Sequence, residues 1–196
     1  MPRHTRAQTG FTVTELLFAA ALTATMTGIA VPLLDHAADD LRTAMAARYV
    51  AGRIHASRLD ALKRSSAVAL RFLPGEPDYT YRPFVDGNGN GIRTADIAAG
   101  IDKPSGDAEQ LGDKFGGVRF RLQAGLPDAD GVLSVNTDGV RIGAARILTL
   151  SPDGTATPGT LYLHGRRAQY AVRVLGLTAR TRVLKYERGA NKWTTR

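Results

Sequence analysis

A short segment in the middle of the chain carries oxygen-bearing side chains at alternate positions. Asp86, Asn88 and Asn90 alternate with glycines, and a glycine also fills the sixth position of the segment. An EF-hand calcium loop begins in this way, because its sixth residue makes a sharp turn that favours glycine. The twelfth position, which would close the site, is Ile97, and Asp96 lies one residue early. The segment therefore predicts a glycine-rich surface turn, and the alternative is a calcium site formed by the three alternating residues and Asp96.

The residue types that are most used in catalysis form no recognisable catalytic pattern. The chain has no cysteine, which excludes disulfides, thiol catalysis and a cysteine zinc site. Its four histidines are scattered and lack metal-ligand spacing: His4, His36, His55 and His164. The sequence also lacks a Walker loop, a dinucleotide-binding fingerprint and a Gly-x-Ser-x-Gly elbow. We therefore expect that the protein is not an enzyme and that it needs no cofactor, calcium aside.

The positive charge is concentrated in the last quarter of the chain. The net charge is +8, and residues 141–196 contain eleven Lys or Arg against two acids. Seven of these basic residues alternate with apolar ones, as they would on a solvated face of a sheet: Arg166, Arg167, Arg173, Arg180, Arg182, Lys185 and Arg188. Guanidinium groups on one face can also contact backbone phosphates without reading a base sequence. The region predicts a solvated sheet face, with DNA binding as the alternative.

An apolar segment near the N-terminus contains a single formal charge. Residues 11–34 include Glu15 and no other charged side chain, and a helix of that length rises roughly 36 Å, enough to cross a hydrocarbon core of about 30 Å. The preceding residues include Arg3 and Arg6 and no acid, which predicts a cytoplasmic N-terminus. The apolar run is too long for a secretory signal peptide. A plain single-span anchor leaves Glu15 unexplained, because a carboxylate within a membrane costs about 3 kcal/mol on insertion scales.

The junction between the basic leader and the apolar segment resembles the prepilin motif of type IV pilin-like proteins. It reads Gly10-Phe11-Thr12-Val13-Thr14-Glu15-Leu16-Leu17. In that family a membrane-embedded prepilin peptidase cleaves after the glycine and methylates the new amino terminus. The resemblance implies that Gly10 and Phe11 flank the cut. It also implies that Glu15 faces the terminal amine of a neighbouring subunit in a filament, which would supply the missing counter-charge.

The pattern after the anchor predicts one amphipathic helix and then a β-rich domain. Residues 35–66 remain compatible with a helix, and Val50, Ile54 and Ala61 mark one apolar face. The predicted fold is α+β, with a long N-terminal helix packed on an antiparallel sheet in the C-terminal part. The predicted segments are a leader at residues 1–10, a transmembrane helix at 11–34, a stem helix at 35–66 and a globular head at 67–196.

Runs of β-forming residues separated by turn clusters predict the strands of the head. The predicted strands are residues 67–73, 118–122, 145–150, 160–163, 168–175 and 182–186. Residues 74–117 are rich in Gly, Pro and Asp, and they predict long loops with one edge strand near residues 79–85.

Two further stretches are similar to the GspH/FimT family of pilin-like proteins. Residues 56–64 resemble the family's junction between stem and first strand, and residues 158–183 resemble its C-terminal strands. The resemblance implies a minor pseudopilin of a type II secretion system, anchored in the bacterial inner membrane with its head in the periplasm. Its partners would be other pseudopilins, in a hetero-oligomeric filament, and the prepilin peptidase.

One branch of this family, tied to natural transformation, implies a different function. In that branch a C-terminal Gly-Arg-x-Arg stretch is associated with DNA binding. Here the stretch reads Ala179-Arg180-Thr181-Arg182, which keeps both arginines and lacks the glycine. The alternative is therefore a minor type IV pilin that binds DNA through a basic C-terminal face containing Arg180 and Arg182.

Overall fold

A computed structural model describes residues 10–133 and 135–196 of the chain. The protein divides into two compact units: the first contains the described residues 10–38, and the second is Asp39–Arg196. Helix α1 (Val13–Arg64) contributes residues to both units, and the helix is continuous through Pro32. A long apolar N-terminal helix followed by antiparallel strands confirms the α+β prediction. The predicted leader lies outside the described residues, apart from Gly10.

In the first unit the apolar side chains of α1 are exposed. They include Leu16, Leu17, Phe18, Leu22, Met26, Ile29, Leu33 and Leu34. The hydroxyls of Thr23, Thr25 and Thr27 each donate a hydrogen bond of 2.8 Å to the carbonyl four residues earlier. A polar side chain satisfied within its own helix needs no water, which is the arrangement that a bilayer demands. By length and composition α1 could cross a membrane.

In the second unit α1 buries one face. Its buried residues are Asp39, Thr43, Ala46, Ala47, Val50, Ala51, Ile54, Ser57 and Ala61. These positions recur every three or four residues and so fall on one side of the helix. The predicted apolar face is therefore confirmed, although the neighbouring Leu62 is exposed.

The remaining chain contributes two short helices and the strands. In chain order the elements are β1 (Val68–Leu73), β2 (Thr80–Val85), α2 (Thr94–Ala98), β3 (Lys103–Pro104), β4 (Glu109–Gln110), α3 (Leu111–Lys114), β5 (Arg119–Phe120), β6 (Val140–Ile142), β7 (Ile147–Leu150), β8 (Gly159–His164), β9 (Gln169–Leu175), β10 (Arg180–Glu187) and β11 (Lys192–Thr195).

Among the described residues these strands form two antiparallel sheets, where the sequence predicted one. Sheet A has the order β3-β2-β1-β7, and β4 also pairs with β2. Sheet B has the order β11-β10-β9-β8-β5, and β6 also pairs with β8. The predicted edge strand near residues 79–85 exists as β2, but the edge placement is wrong because β2 pairs on both sides. Strands β3, β4, β6 and β11 were not predicted, and each is only two to four residues long.

One hydrophobic core joins α1 to both sheets. Val50 and Ile54 of α1 belong to the same buried cluster as Phe72 of sheet A and Leu161 and Val172 of sheet B. Each fully buried side chain of this size contributes about 1.5–3 kcal/mol. Val172 of β9 and Val183 of β10 pack toward α1 in this core. The residues that alternate with them therefore point away from α1, and this outer face of sheet B carries the arginines considered below.

Candidate functional site

The cleavage site predicted from the sequence lies just before α1. Gly10 and Phe11 are exposed, and the helix begins two residues later at Val13. Exposed backbone outside regular structure is the form in which proteases most readily cut a chain. The geometry is compatible with the predicted processing between Gly10 and Phe11.

Glu15 closes a capping box with Thr12 at the start of α1. Glu15 Oε2 accepts hydrogen bonds of 2.8 Å from both the backbone N–H and the hydroxyl of Thr12. In return the Glu15 N–H donates to the Thr12 hydroxyl oxygen at 3.2 Å. Thr12 precedes the first helical residue and Glu15 is the third, which is the spacing of this motif. The Thr-x-x-Glu spacing is the sequence signal for this capping role. The sequence-based interpretation of Glu15 considered only its charge and did not include the cap.

A second carboxylate of α1 binds the turn between β8 and β9. Asp39 Oδ1 accepts the backbone N–H of Arg166 at 2.8 Å, and Oδ2 accepts those of Arg167 and Ala168 at 2.9 and 3.0 Å. Asp39 is only 6% exposed. Burial alone would raise the pKa of Asp39, but the three N–H donors outweigh it and hold the pKa below its ordinary value. Two of the predicted basic residues thus contact the helix through their backbone.

The close approach of Asp39 to this turn depends on a glycine. A β-carbon at Gly165 would overlap Asp39 Oδ1 and Thr43 Oγ1. The Thr43 hydroxyl donates to the backbone carbonyl of Asp39 at 2.8 Å, which fixes the Thr43 side chain on the buried face of α1. The turn and the helix therefore fit together through one glycine and one aspartate.

The predicted basic cluster divides between the two faces of sheet B. Arg180 and Arg182 alternate on β10 and are exposed, and Arg182 lies opposite Arg173 of β9. Lys185 is three residues after Arg182 and so points to the other face. There its Nζ lies 2.9 Å from Asp40 Oδ1 on α1. The predicted shared face is wrong for Lys185, because strand parity separates it from Arg180 and Arg182.

Arg180 and Arg182 remain the accessible cations of the outer face. Arg173 Nη2 lies 2.5 Å from Asp130 Oδ1, so its charge is paired. Within residues 10–133 and 135–196, neither Arg180 nor Arg182 forms an ion pair. Two unpaired guanidinium groups on one strand are a suitable arrangement for contacting an anion.

The glycine-rich segment predicted as a turn uses its carboxylate internally. Asp86 accepts backbone N–H groups from Asn88 at 3.1 Å, Gly89 at 2.8 Å and Gly91 at 2.7 Å. Burial would raise the pKa of Asp86, but these donors lower it below its ordinary value. Asn90 donates its N–H to the Asn88 side-chain oxygen at 3.2 Å. These contacts are those of a surface turn.

The other residue of the calcium alternative lies at the edge of this turn. Asp96 Oδ2 is 3.5 Å from Asn88 Nδ2. The more buried Asp102, absent from the sequence prediction, accepts the N–H groups of Gly87 at 3.1 Å and Arg93 at 3.0 Å. Across the described part of the chain, no group of three or more His, Cys, Asp or Glu is arranged to hold a metal.

Comparisons with protein-family models, curated proteins and solved structures found no match for this chain. The functional assignment therefore depends on the motifs and contacts described above.

Proposed function

We propose that the protein is a membrane-anchored subunit of a pilin-like filament, a minor pseudopilin of a type II secretion system. The observation that carries this proposal is the position of Glu15. It is the fifth residue after the Gly10–Phe11 junction, and it lies in the first turn of a helix whose following apolar side chains are exposed. In this role residues 11–34 anchor the chain in the bacterial inner membrane, and the β-rich unit lies in the periplasm.

The capping contacts leave Glu15 able to bind a neighbouring subunit. Both hydrogen bonds from Thr12 use Oε2, and among the described residues Oε1 accepts no hydrogen bond. The Oε1 lone pairs can therefore receive the methylated amine of an adjacent chain. An ion pair there would offset the cost of about 3 kcal/mol for a charged side chain in a bilayer.

The first test is the mass of the protein from cells with an active prepilin peptidase. We expect a chain that begins at Phe11 and carries one additional methyl group. Cells that lack the peptidase provide the control and should yield the chain with its leader. Recovery of unprocessed protein from the peptidase-positive cells, or a cut after one of the alanines at 19–21, would contradict the proposal.

The second test separates the pairing of Glu15 from its capping role. Glu15→Leu removes both, whereas Glu15→Gln keeps an oxygen that can accept the Thr12 N–H while losing the charge. If pairing drives assembly, both variants insert and are processed but co-purify poorly with the other pilin-like subunits. Thr12→Val is the matched control, because it weakens the cap by about 1 kcal/mol and keeps the carboxylate. Normal co-purification of Glu15→Gln would show that the charge of Glu15 is not required and would contradict the pairing.

The exposed pair Arg180 and Arg182 favours a second candidate function, DNA binding by a minor type IV pilin. The full chain in a neutral detergent should then retard duplex DNA of mixed sequence, with affinity that falls as salt rises. Arg180→Ala with Arg182→Ala should flatten the salt slope by up to about two units, while Arg93→Ala, in the glycine-rich turn, should not. If the wild-type chain gives no shift at low salt, the outer face is a solvated surface and the secretion role is favoured.

A further inference from the structure

A row of polar side chains with arginines at its ends crosses sheet B on its outer face. Arg182 of β10 lies opposite Arg173 of β9, Arg173 lies opposite Thr160 of β8, and Thr160 lies opposite Arg141 of β6. Directly opposed residues of neighbouring strands point to the same face. With strands about 4.8 Å apart, the row spans roughly 14 Å. We call Arg141, Arg173 and Arg182 the arginine row.

Two carboxylates from an acidic loop (residues 127–133) contact this arginine row. Asp130 Oδ1 lies 2.5 Å from Arg173 Nη2, and Asp128 Oδ2 lies 3.6 Å from Arg141 Nη1. The loop is held over the sheet because the Ala129 N–H donates to the Tyr162 hydroxyl at 3.0 Å. Two of the three arginines in the row are therefore neutralised from within the chain.

The contact between Asp130 and Arg173 can be exchanged at low cost. Asp130 is 61% exposed, and ion pairs at exposed positions contribute about 0–1 kcal/mol. The contact between Asp128 and Arg141 is more buried, and at 3.6 Å it is the longer of the two. An open groove of about 420 Å³ lies between the loop and the sheet, lined by Asp128, Asp130, Arg141, Thr160 and Arg173 among others. A ligand can thus reach the guanidinium groups from solvent without unfolding the sheet.

We infer that the arginine row is a phosphate-binding site that Asp128 and Asp130 mask when no polyanion is bound. The inference rests on the second candidate function, in which the ligand is DNA. Phosphate and carboxylate oxygens meet a guanidinium group in the same geometry, so a backbone phosphate can replace Asp130 at Arg173. Together with Arg180, the arginine row presents four guanidinium groups once phosphate has replaced the two carboxylates. Arg180 and Arg182 are available before that replacement.

The inference is tested with the full chain in a neutral detergent and duplex DNA of mixed sequence. The double variant Asp128→Asn with Asp130→Asn removes the masking charges. The asparagine at position 128 keeps the side-chain oxygen that accepts the N–H groups of Asp130 and Val132. We expect about tenfold tighter binding at low salt and a salt slope steeper by about one to two units. Arg141→Gln with Arg173→Gln, added to that variant, should remove the gain.

Asp107→Asn with Asp113→Asn is the matched control. It changes the net charge by the same amount, and both residues are exposed and lie outside the arginine row and the acidic loop. The control should gain much less affinity than the variant of Asp128 and Asp130. Equal gains in the two variants would overturn the masking role, because net charge alone would then explain them.

Amide exchange in the wild-type chain gives a second readout. Binding and loop release are coupled reciprocally, so DNA should accelerate exchange at the Ala129 amide, whose hydrogen bond to the Tyr162 hydroxyl holds the loop over the sheet. If DNA binds through Arg180 and Arg182 while this amide keeps its protection, the masking role fails and DNA binding stands. If only the variant of Asp128 and Asp130 binds DNA, masking is supported. If neither protein binds at low salt, the DNA function and this inference are both overturned.

Discussion

Helix α1 passes through two regions that treat the same residue types in opposite ways. Ile29 in the first unit is 70% exposed, whereas Ile54 in the second is fully buried. The large apolar side chains before Asp39 are exposed, whereas Val50 and Ile54 after it lie in the core among small alanines that let the strands approach. The exposed apolar side chains of the first region are thus suited to an apolar surrounding such as a membrane, whereas the buried side chains of the second region pack on the two sheets of the protein.

Polar groups on α1 show the same contrast. Among the described residues, the hydroxyls of Thr23 and Thr27 donate only to carbonyls of their own helix. Asp39, by contrast, bonds to backbone groups 127 to 129 residues away in the sequence. The threonine hydroxyls of the first region are thus satisfied within the helix, whereas Asp39 in the second region connects the helix to a distant turn. Thr43, also in the second region, still donates to a carbonyl of its own helix.

The comparison is tested most strongly by the same substitution in each region. Ile54→Ala should lower the free energy of unfolding of the second unit by about 3–4 kcal/mol, because it leaves a cavity in the core. Ile29→Ala should change it by less than about 0.5 kcal/mol. Urea unfolding of the full chain in a neutral detergent can be followed through the single tryptophan, Trp193. Similar losses from both variants would break the comparison.

Asp39→Ala should destabilise the second unit by about 3 kcal/mol. The substitution leaves three backbone N–H groups without their acceptor, and each such loss costs about 1–3 kcal/mol where water cannot fully replace it. Asp39→Asn keeps one side-chain oxygen and should therefore fall between alanine and the wild type. Both variants can be compared by the same tryptophan-detected unfolding. An asparagine variant as unstable as the alanine variant would mean that the charge, rather than the acceptor, holds the turn.

The contribution of Asp39 should also depend on pH. Its pKa in the folded protein lies below the ordinary value of about 3.9, so folding favours the ionised form. The stabilisation is therefore present above about pH 4 and is lost as the pH falls through the folded pKa. The stability difference between wild type and Asp39→Ala should be constant near neutral pH and should shrink below about pH 4. A difference that stays constant down to pH 2 would contradict this assignment.

The sequence predicts local features of this molecule better than contacts between distant segments. The apolar run of the anchor, the buried face of α1 and the long strands β8, β9 and β10 all follow from residue periodicity. The division into two sheets does not, because β1 pairs with β7 across more than seventy residues and no short pattern encodes that partner.

The same limit applies to the candidate sites. The motif around Gly10, Phe11 and Glu15 is continuous in sequence and could be found there. The binding of Asp39 to backbone N–H groups could not, since those partners carry no side-chain signature. The separation of Lys185 from Arg182 is an intermediate case, because the odd spacing of three residues on one strand already indicates opposite faces.

Asp86 is the local counterpart of Asp39, and its removal should cost less. Asp86→Ala also removes an acceptor of three backbone N–H groups, but the turn from Asn88 to Asn90 is exposed and water can replace the lost bonds. We expect a loss of about 1–2 kcal/mol in unfolding experiments. Added calcium should leave the melting temperature of the wild type unchanged. A rise in that temperature which Asp86→Ala abolishes would favour the calcium alternative.

Substitution of Ala179 by glycine is expected to change the free energy of unfolding least, because relief of backbone strain and loss of a buried methyl group oppose each other. Its φ of +48° lies in the left-handed region, where a non-glycine residue costs about 1–2 kcal/mol. Its methyl group is fully buried in the main core, and removing a buried methyl costs about 1 kcal/mol. Ala179→Gly should therefore change the free energy of unfolding by less than about 1 kcal/mol. Gly176→Ala, in the same turn, is the control, because its β-carbon would meet the Ala156 carbonyl and Pro158 at 3.2–3.3 Å. A rise in the free energy of unfolding well above 1 kcal/mol in Ala179→Gly would mean that backbone strain at this turn outweighs the packing of the methyl group in the core.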